Sequence, residues 1–161
     1  MADITNTTGP FLRIAALCEQ AIEAKDGRLS IINIIDQVTN TATGPAPPDE
    51  MPPFLLQMKA VVALKAGQAR GRFAVKLQPE DPSGSILPAV DIPVQFVGQP
   101  DAGTNVILDF ALQVEHEGLY WVDAFLVAAG SERLLSRMPL RVIYQPQKTL
   151  PQGLPPGSAP T

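Results

Sequence analysis

The stretch VILDFALQVEHEGLYWVDAFLVAAGSERLLSRMPLRVIY, residues 106–144, decides the fold. It contains three apolar runs, with the turn signals EHEG and AAGSER between them. Such runs, rich in β-branched and aromatic residues and bounded by Gly, Ser and charged positions, read as consecutive antiparallel strands. In the first run Val106, Leu108, Phe110, Leu112 and Val114 alternate with polar Asp109 and Gln113. That period of two is the signature of a strand with one face buried. Leu140, Val142 and Tyr144 carry the last strand.

The middle run poses a question of parity. With Tyr120 inward, Val122, Ala124 and Leu126 join it. Leu119, Trp121, Asp123, Phe125 and Val127 then face outward beside Ile107, Ala111 and Ile143. A slip of one residue would bury Trp121 and Phe125, but it would bury Asp123 too, which is costly unless the carboxylate is paired. Tyr120 inward is the expected register. It makes Trp121, Phe125, Ile107 and Ile143 a candidate interface on the outer face of the C-terminal sheet, because a contiguous exposed apolar patch marks a partner surface. Cover by the N-terminal strand, the linker or the tail of the same chain is the other arrangement open to this face.

Outward from that stretch the pattern repeats. Phe54, Leu56, Met58, Ala60, Val62 and Leu64 form one apolar face, and Phe73, Val75 and Leu77 another. The turn Ala66-Gly67-Gln68 reads as the reversal of a hairpin between them. Asp81-Pro82-Ser83-Gly84 is the next turn, and the short run with Ile92, Val94 and Phe96 contains Pro93, which assigns it to a sheet edge. Residues 11–24 have helix-favouring composition, yet Asp26-Gly27 and the β-branched LSIINIIDQV follow at once. A strand pairing back through that tight turn is the more economical reading. Residues 29–38 are apolar at both parities, which predicts a central strand or one with a face covered by the following linker. The linker, residues 39–53, is rich in Pro and Gly and is expected to cross between sheets without regular structure.

The sum is an all-β, Ig-like Greek-key β-sandwich of about eight antiparallel strands. It occupies residues 10–145, with a disordered N-terminus at 1–9 and a Pro-rich disordered tail at 146–161.

Three pieces carry a resemblance: ALCEQAIEAKDGRLSIINIID, ARGRFAVKLQPEDPSG and EGLYWVDAFLVAAGSERLLSRMPLRV. Together they resemble an uncharacterised family of small bacterial β-sandwich proteins, a domain of unknown function. The shared positions, Asp26-Gly27, Gly84, Gly118, Tyr120 and the closing Pro139-Leu140-x-Val142, are turn and core positions. The resemblance therefore implies a fold and no chemistry. It also implies polar residues near 121 and 123, from which Trp121 departs.

Composition removes several function classes. At 161 residues the chain fits one domain with a sizeable core. A net charge of −4 with scattered basic residues argues against nucleic acid, whose phosphates need clustered Lys and Arg. One cysteine rules out an internal disulfide framework and fits a reducing cytoplasm. No apolar run reaches membrane-span length, so no membrane partner is expected, and the start MADITNTTG lacks the features of a secretory signal.

Reaction chemistry finds little to rest on. His116, between Glu115 and Glu117, could act as a base or ligand, but it is the only histidine, which excludes a multi-His zinc site. Cys18 with His116 would be a Cys–His pair, yet Cys18 lies within an apolar run, where cysteine acts as a small buried hydrophobe. Glu80, Asp81 and Asp101 could converge on calcium only if a sandwich brought their loops together. Phosphate loops, a nucleophile elbow and paired carboxylates in a glycosidase-like setting are absent. The expectation is a non-catalytic interaction or structural module, no enzyme and without cofactor or metal. Its partner would be a second copy or another protein bound through the outer face of the C-terminal sheet. The alternative is a small-ligand-binding sandwich or weak hydrolase with a loop-end pocket near His116.

Overall fold

The computed structural model describes residues 8–151, and within them the chain forms nine strands and no helix. Strands β1 (Phe11–Glu23), β2 (Leu29–Ile34), β4 (Phe54–Lys65) and β7 (Gly103–Val114) make a four-stranded sheet ordered β2-β1-β4-β7. Strands β3 (Gln37–Gly44), β5 (Gly71–Glu80), β6 (Val90–Phe96), β8 (Gly118–Ala128) and β9 (Ser131–Lys148) make a five-stranded sheet ordered β3-β9-β8-β5-β6. The inward residues of both sheets share one core. Leu17, Val62, Leu64 and Phe110 contribute from the first sheet, and Val75, Phe96, Tyr120 and Leu140 from the second. The apolar faces expected for β4, β5 and β8 are the ones that meet there.

Several local expectations hold. Residues 11–23 are a strand, and β1 returns into β2 through the Asp26-Gly27 turn, with Gly27 at φ +82°. β6, with Pro93, is a sheet edge.

Others need correction, and one physical reason covers most of them. A turn signal marks where the chain leaves a strand, but it does not say whether the next strand pairs with the last or crosses to the facing sheet. β7 pairs with β4, so residues 115–117 carry the chain across the core, and only β8 and β9 of the opening stretch form a hairpin. The turn at 66–70 is also a crossing, from β4 to β5 in the other sheet.

Residues 29–38 are not one central strand. Asn33 adopts φ +54°, the ladder ends at Ile34, and the chain re-enters the other sheet as β3. β2 is therefore an edge, with Ile32 and Ile34 exposed. The TNTATG half of the expected linker belongs to β3, which runs parallel to β9. That gives nine strands with one parallel pair, where about eight antiparallel strands were expected. β9 extends to Lys148 against β3, three residues past the expected boundary, and the Thr8 carbonyl accepts a bond from the Gln68 amide. The rest of the expected disordered ends, residues 1–7 and 152–161, lies outside the described residues.

The β1–β2 hairpin has a second role. Ile14 stands opposite Ala63, and Ala63 opposite Asn105. Nine residues further along an extended strand would end about 30 Å away. Yet the Asn105 amide donates to the Glu23 carboxylate at 2.7 Å and to the Gly27 carbonyl at 3.3 Å. The hairpin thus folds back over the outer face of its own sheet. This explains why Ala16, Cys18, Val61 and Ala63 are buried although they lie outside the core shared by the two sheets. They form a thin second apolar layer under the arm. Among the described residues no helix is long and apolar enough to cross a membrane.

Candidate functional site

The outer face of the five-stranded sheet carries most of the expected interface. Tyr120, Val122, Ala124 and Leu126 are buried, so Trp121, Asp123 and Phe125 point outward, as the inward-Tyr120 register requires. Trp121 lies between Glu80 and Pro139 in the cross-strand register, and Asp123 between Gln78 and Arg137. Ile143 is further along β9, next to Thr39 of β3. Ile107 is elsewhere. It belongs to β7 in the other sheet, opposite the fully buried Val61 and two residues from the arm's anchor Asn105. The four expected residues therefore occupy two faces, because β7 does not pair with β8.

The aromatic residues on this face are held by cations. The Arg137 guanidinium lies 4.7 Å from the Trp121 ring centre and donates to Asp123 at 2.7 Å and Glu80 at 2.9 Å. The Asp123 hydrogen bond leads the influences that raise the Arg137 pKa above its ordinary value, so the guanidinium stays charged. Lys76 repeats the motif, 5.3 Å from the Phe125 ring and paired with Glu132 at 2.7 Å. Trp121 and Phe125 are half-buried in consequence, their faces partly covered by alkyl stems and charged heads. A β-bulge between Ala124 and Phe125 sets Leu134, 49% exposed, directly opposite Phe125. Sequence periodicity missed Leu134, since the bulge displaces the count by one.

A second feature lies at the loop end, around His116. A cavity of about 330 Å³ opens between β7 and the β5–β6 connection. Its apolar lining includes Leu55, Leu87, Val90, Phe110 and Leu112, with Leu55 and Val90 substantially exposed. Asp81, Gln113, Glu115 and His116 supply its polar edge. The buried Tyr120 hydroxyl donates to the His116 carbonyl at 2.8 Å, and burial pushes its pKa up, which keeps it a donor. Asp81 accepts from the Ser83 hydroxyl at 2.6 Å and from the Ser83 and Ser85 amides at 2.9 Å. These bonds, that from the Ser83 hydroxyl foremost, hold its carboxyl below the usual range, so it is anionic at neutral pH.

The remaining candidates are dispersed. Cys18 pairs with Lys59, whereas His116 follows Val114, which pairs with Phe54. Five residues of strand, about 17 Å, and opposite environments separate thiol from imidazole. Burial raises the Cys18 pKa, with Lys59 only partly opposing it. The native thiol should react with a disulfide reagent at neutral pH orders of magnitude more slowly than the unfolded chain. Fast reaction without unfolding would show that the β1–β2 arm does not seal it. Asp81 and Asp101 sit at opposite ends of the sandwich, and Glu80 is engaged by Arg137. No group of three or more potential ligands able to hold a metal occurs among the described residues.

Comparison of the chain with protein-family models and with curated proteins finds no match to either.

Proposed function

We propose that this protein is a non-catalytic interaction module of Ig-like, Greek-key type that binds a protein partner, or a second copy of itself, through the outer face of its five-stranded sheet. The observation that carries the reading is the ladder Trp121–Arg137–Asp123–Glu80 with its neighbour Phe125–Lys76–Glu132. Aromatic side chains with Arg, pre-oriented by satisfied ion pairs, are the residue types that dominate protein interfaces. Pro139 and Leu134 extend the apolar area on either side. The crossings at 66–70 and 115–117 support the Greek-key connectivity. A bacterial, cytoplasmic setting and membership of the uncharacterised sandwich family belong to the same proposal.

Trp121 is the only tryptophan, so its fluorescence reports this face alone. Association should protect it from collisional quenching as protein concentration rises or partner is added, and Trp121→Ser should weaken that association by about tenfold or more. A monodisperse monomer at high concentration, with Trp121→Ser leaving every interaction intact, would sink the reading.

Binding of a small ligand at the loop end is the second reading, favoured by the apolar cavity beside His116. A hydrolase at that place finds less support, since Cys18 is remote from His116.

A further inference from the structure

Four consecutive residues of β7, Phe110, Ala111, Leu112 and Gln113, line the loop-end cavity. Successive residues of a strand point to opposite faces. A space touched by all four therefore lies against the edge of β7 and not against either of its faces. Among the described residues that edge is open, because β7 pairs with β4 alone. Unpaired backbone N–H and C=O groups in a row are a template for an added strand.

The opposite wall is firm. Glu80 and Ile86 form a β-bridge, the Leu87 amide donates to the Pro79 carbonyl at 2.9 Å, and the Gly84 amide donates to the Asp81 carbonyl at 3.0 Å. The groove thus runs between a strand edge and a braced loop, and Leu55 and Val90 present apolar surface at its mouth.

The charged residues that line the groove and the depression beside it have one sign. Asp81 and Glu115 line the cavity, and Asp49, Glu50 and Glu117 join Glu115 in the adjoining depression. Neither lining includes Lys or Arg. All three hydrogen bonds to the Asp81 carboxylate end on Oδ1. Oδ2 is left for an incoming donor.

We propose that this groove docks an extended segment of a protein partner in which an apolar residue is flanked by Lys or Arg. The segment's main chain adds to the free edge of β7, its apolar side chain enters the cavity, and its cationic neighbours meet Asp81 and Glu115. A small cationic amphiphile would use the cavity and the carboxylates but not the strand edge, which is why a peptide is the occupant the geometry favours. The groove includes none of Trp121, Phe125 and Arg137, so this proposal and the preceding one fail separately.

The test selects short random peptides displayed on phage against the immobilised full-length protein, with the Asp81→Asn/Glu115→Gln protein as counter-selection. Asn keeps an oxygen for Ser83 and Ser85, and Glu115 is exposed, so the double variant should stay folded and melt only slightly below the parent, by the share of stability that the Asp81 charge lends its hydrogen bonds. The expected winners place Lys or Arg beside a large apolar residue. A labelled winner should lose about tenfold or more in affinity for the double variant and fall as the salt concentration rises. It should also lose binding when alternate backbone nitrogens are methylated, and it should bind Trp121→Ser protein undiminished. Selection of acidic or neutral peptides, or of none, would overturn the proposal. So would an N-methylated peptide that binds as well as its parent, or decylammonium binding the cavity where no peptide is selected; these last two assign the site to a small ligand.

Discussion

Tyr120→Ala is expected to lower stability by about 3–5 kcal/mol, the largest single loss available from one side chain here. Tyr120 is the largest of the fully buried residues, at 1% exposure, and it stands where β8 enters the core between the two sheets. Truncation removes the ring's contacts and leaves a cavity that neighbours on two separate sheets cannot collapse to fill. The hydroxyl is a smaller part. Its bond to the His116 carbonyl is between a buried donor and a main-chain acceptor at an exposed turn, so Tyr120→Phe should cost about 1 kcal/mol. Denaturant unfolding of the pair separates the contributions. A loss below about 1 kcal/mol for the alanine variant would place the ring outside the core.

That prediction rests on a parity the sequence made readable. Only one register of residues 119–127 buries Tyr120 while keeping Asp123 outside, and the Asp123–Arg137 bond shows the carboxylate satisfied at the surface. Alternation in β4, β5 and β7 was legible for the same reason, since a face set against a core forbids a slip of one residue. What could not be read was pairing over long range. EHEG and AGQ look like hairpin turns, yet each carries the chain to the opposite sheet. Nothing within a turn's few residues records that choice, which the whole core decides.

β3 was missed because TNTATG buries little, and its strand form comes from the parallel ladder to β9 rather than from any pattern of its own. The candidate face was partly legible. Trp121, Phe125 and Ile143 share it, but Ile107 was attached to the wrong sheet by the assumption that β7 and β8 pair. The cations over the rings were not legible, since Arg137 and Lys76 reach them from neighbouring strands whose register no local signal gives. The loop-end cavity was anticipated only as a place near His116. Its apolar wall joins β7, the strand just before His116, to Leu55 of β4, Leu87 of the β5–β6 connection and Val90 of β6, which are far away in sequence and arrive there only through the packing of the two sheets.

Gly118→Ala is the second large effect expected, at about 3 kcal/mol or more, from two causes acting together. Gly118 has φ +135°, a region that costs any other residue about 1–3 kcal/mol. A Cβ there would also meet Cβ and Cγ of Pro82 at 2.9 Å, and a rigid ring cannot swing aside as a long side chain would. Gly84 is the internal control. It has φ +88° with nothing within 4 Å of an added Cβ, so Gly84→Ala should carry backbone strain alone, about 1 kcal/mol. The difference between the two combines the Pro82 contact with the greater backbone strain at φ +135°. Pro82 lies close over Gly118 at the start of β8, and its loop, residues 81–87, forms the braced wall of the cavity. Partial displacement of Pro82 should therefore raise amide exchange at Ser83, Ser85 and Leu87 and weaken whatever the cavity binds, while the Trp121 face stays intact. Equal losses for Gly118→Ala and Gly84→Ala, with unchanged exchange in the loop, would mean that Pro82 does not hold the wall in place.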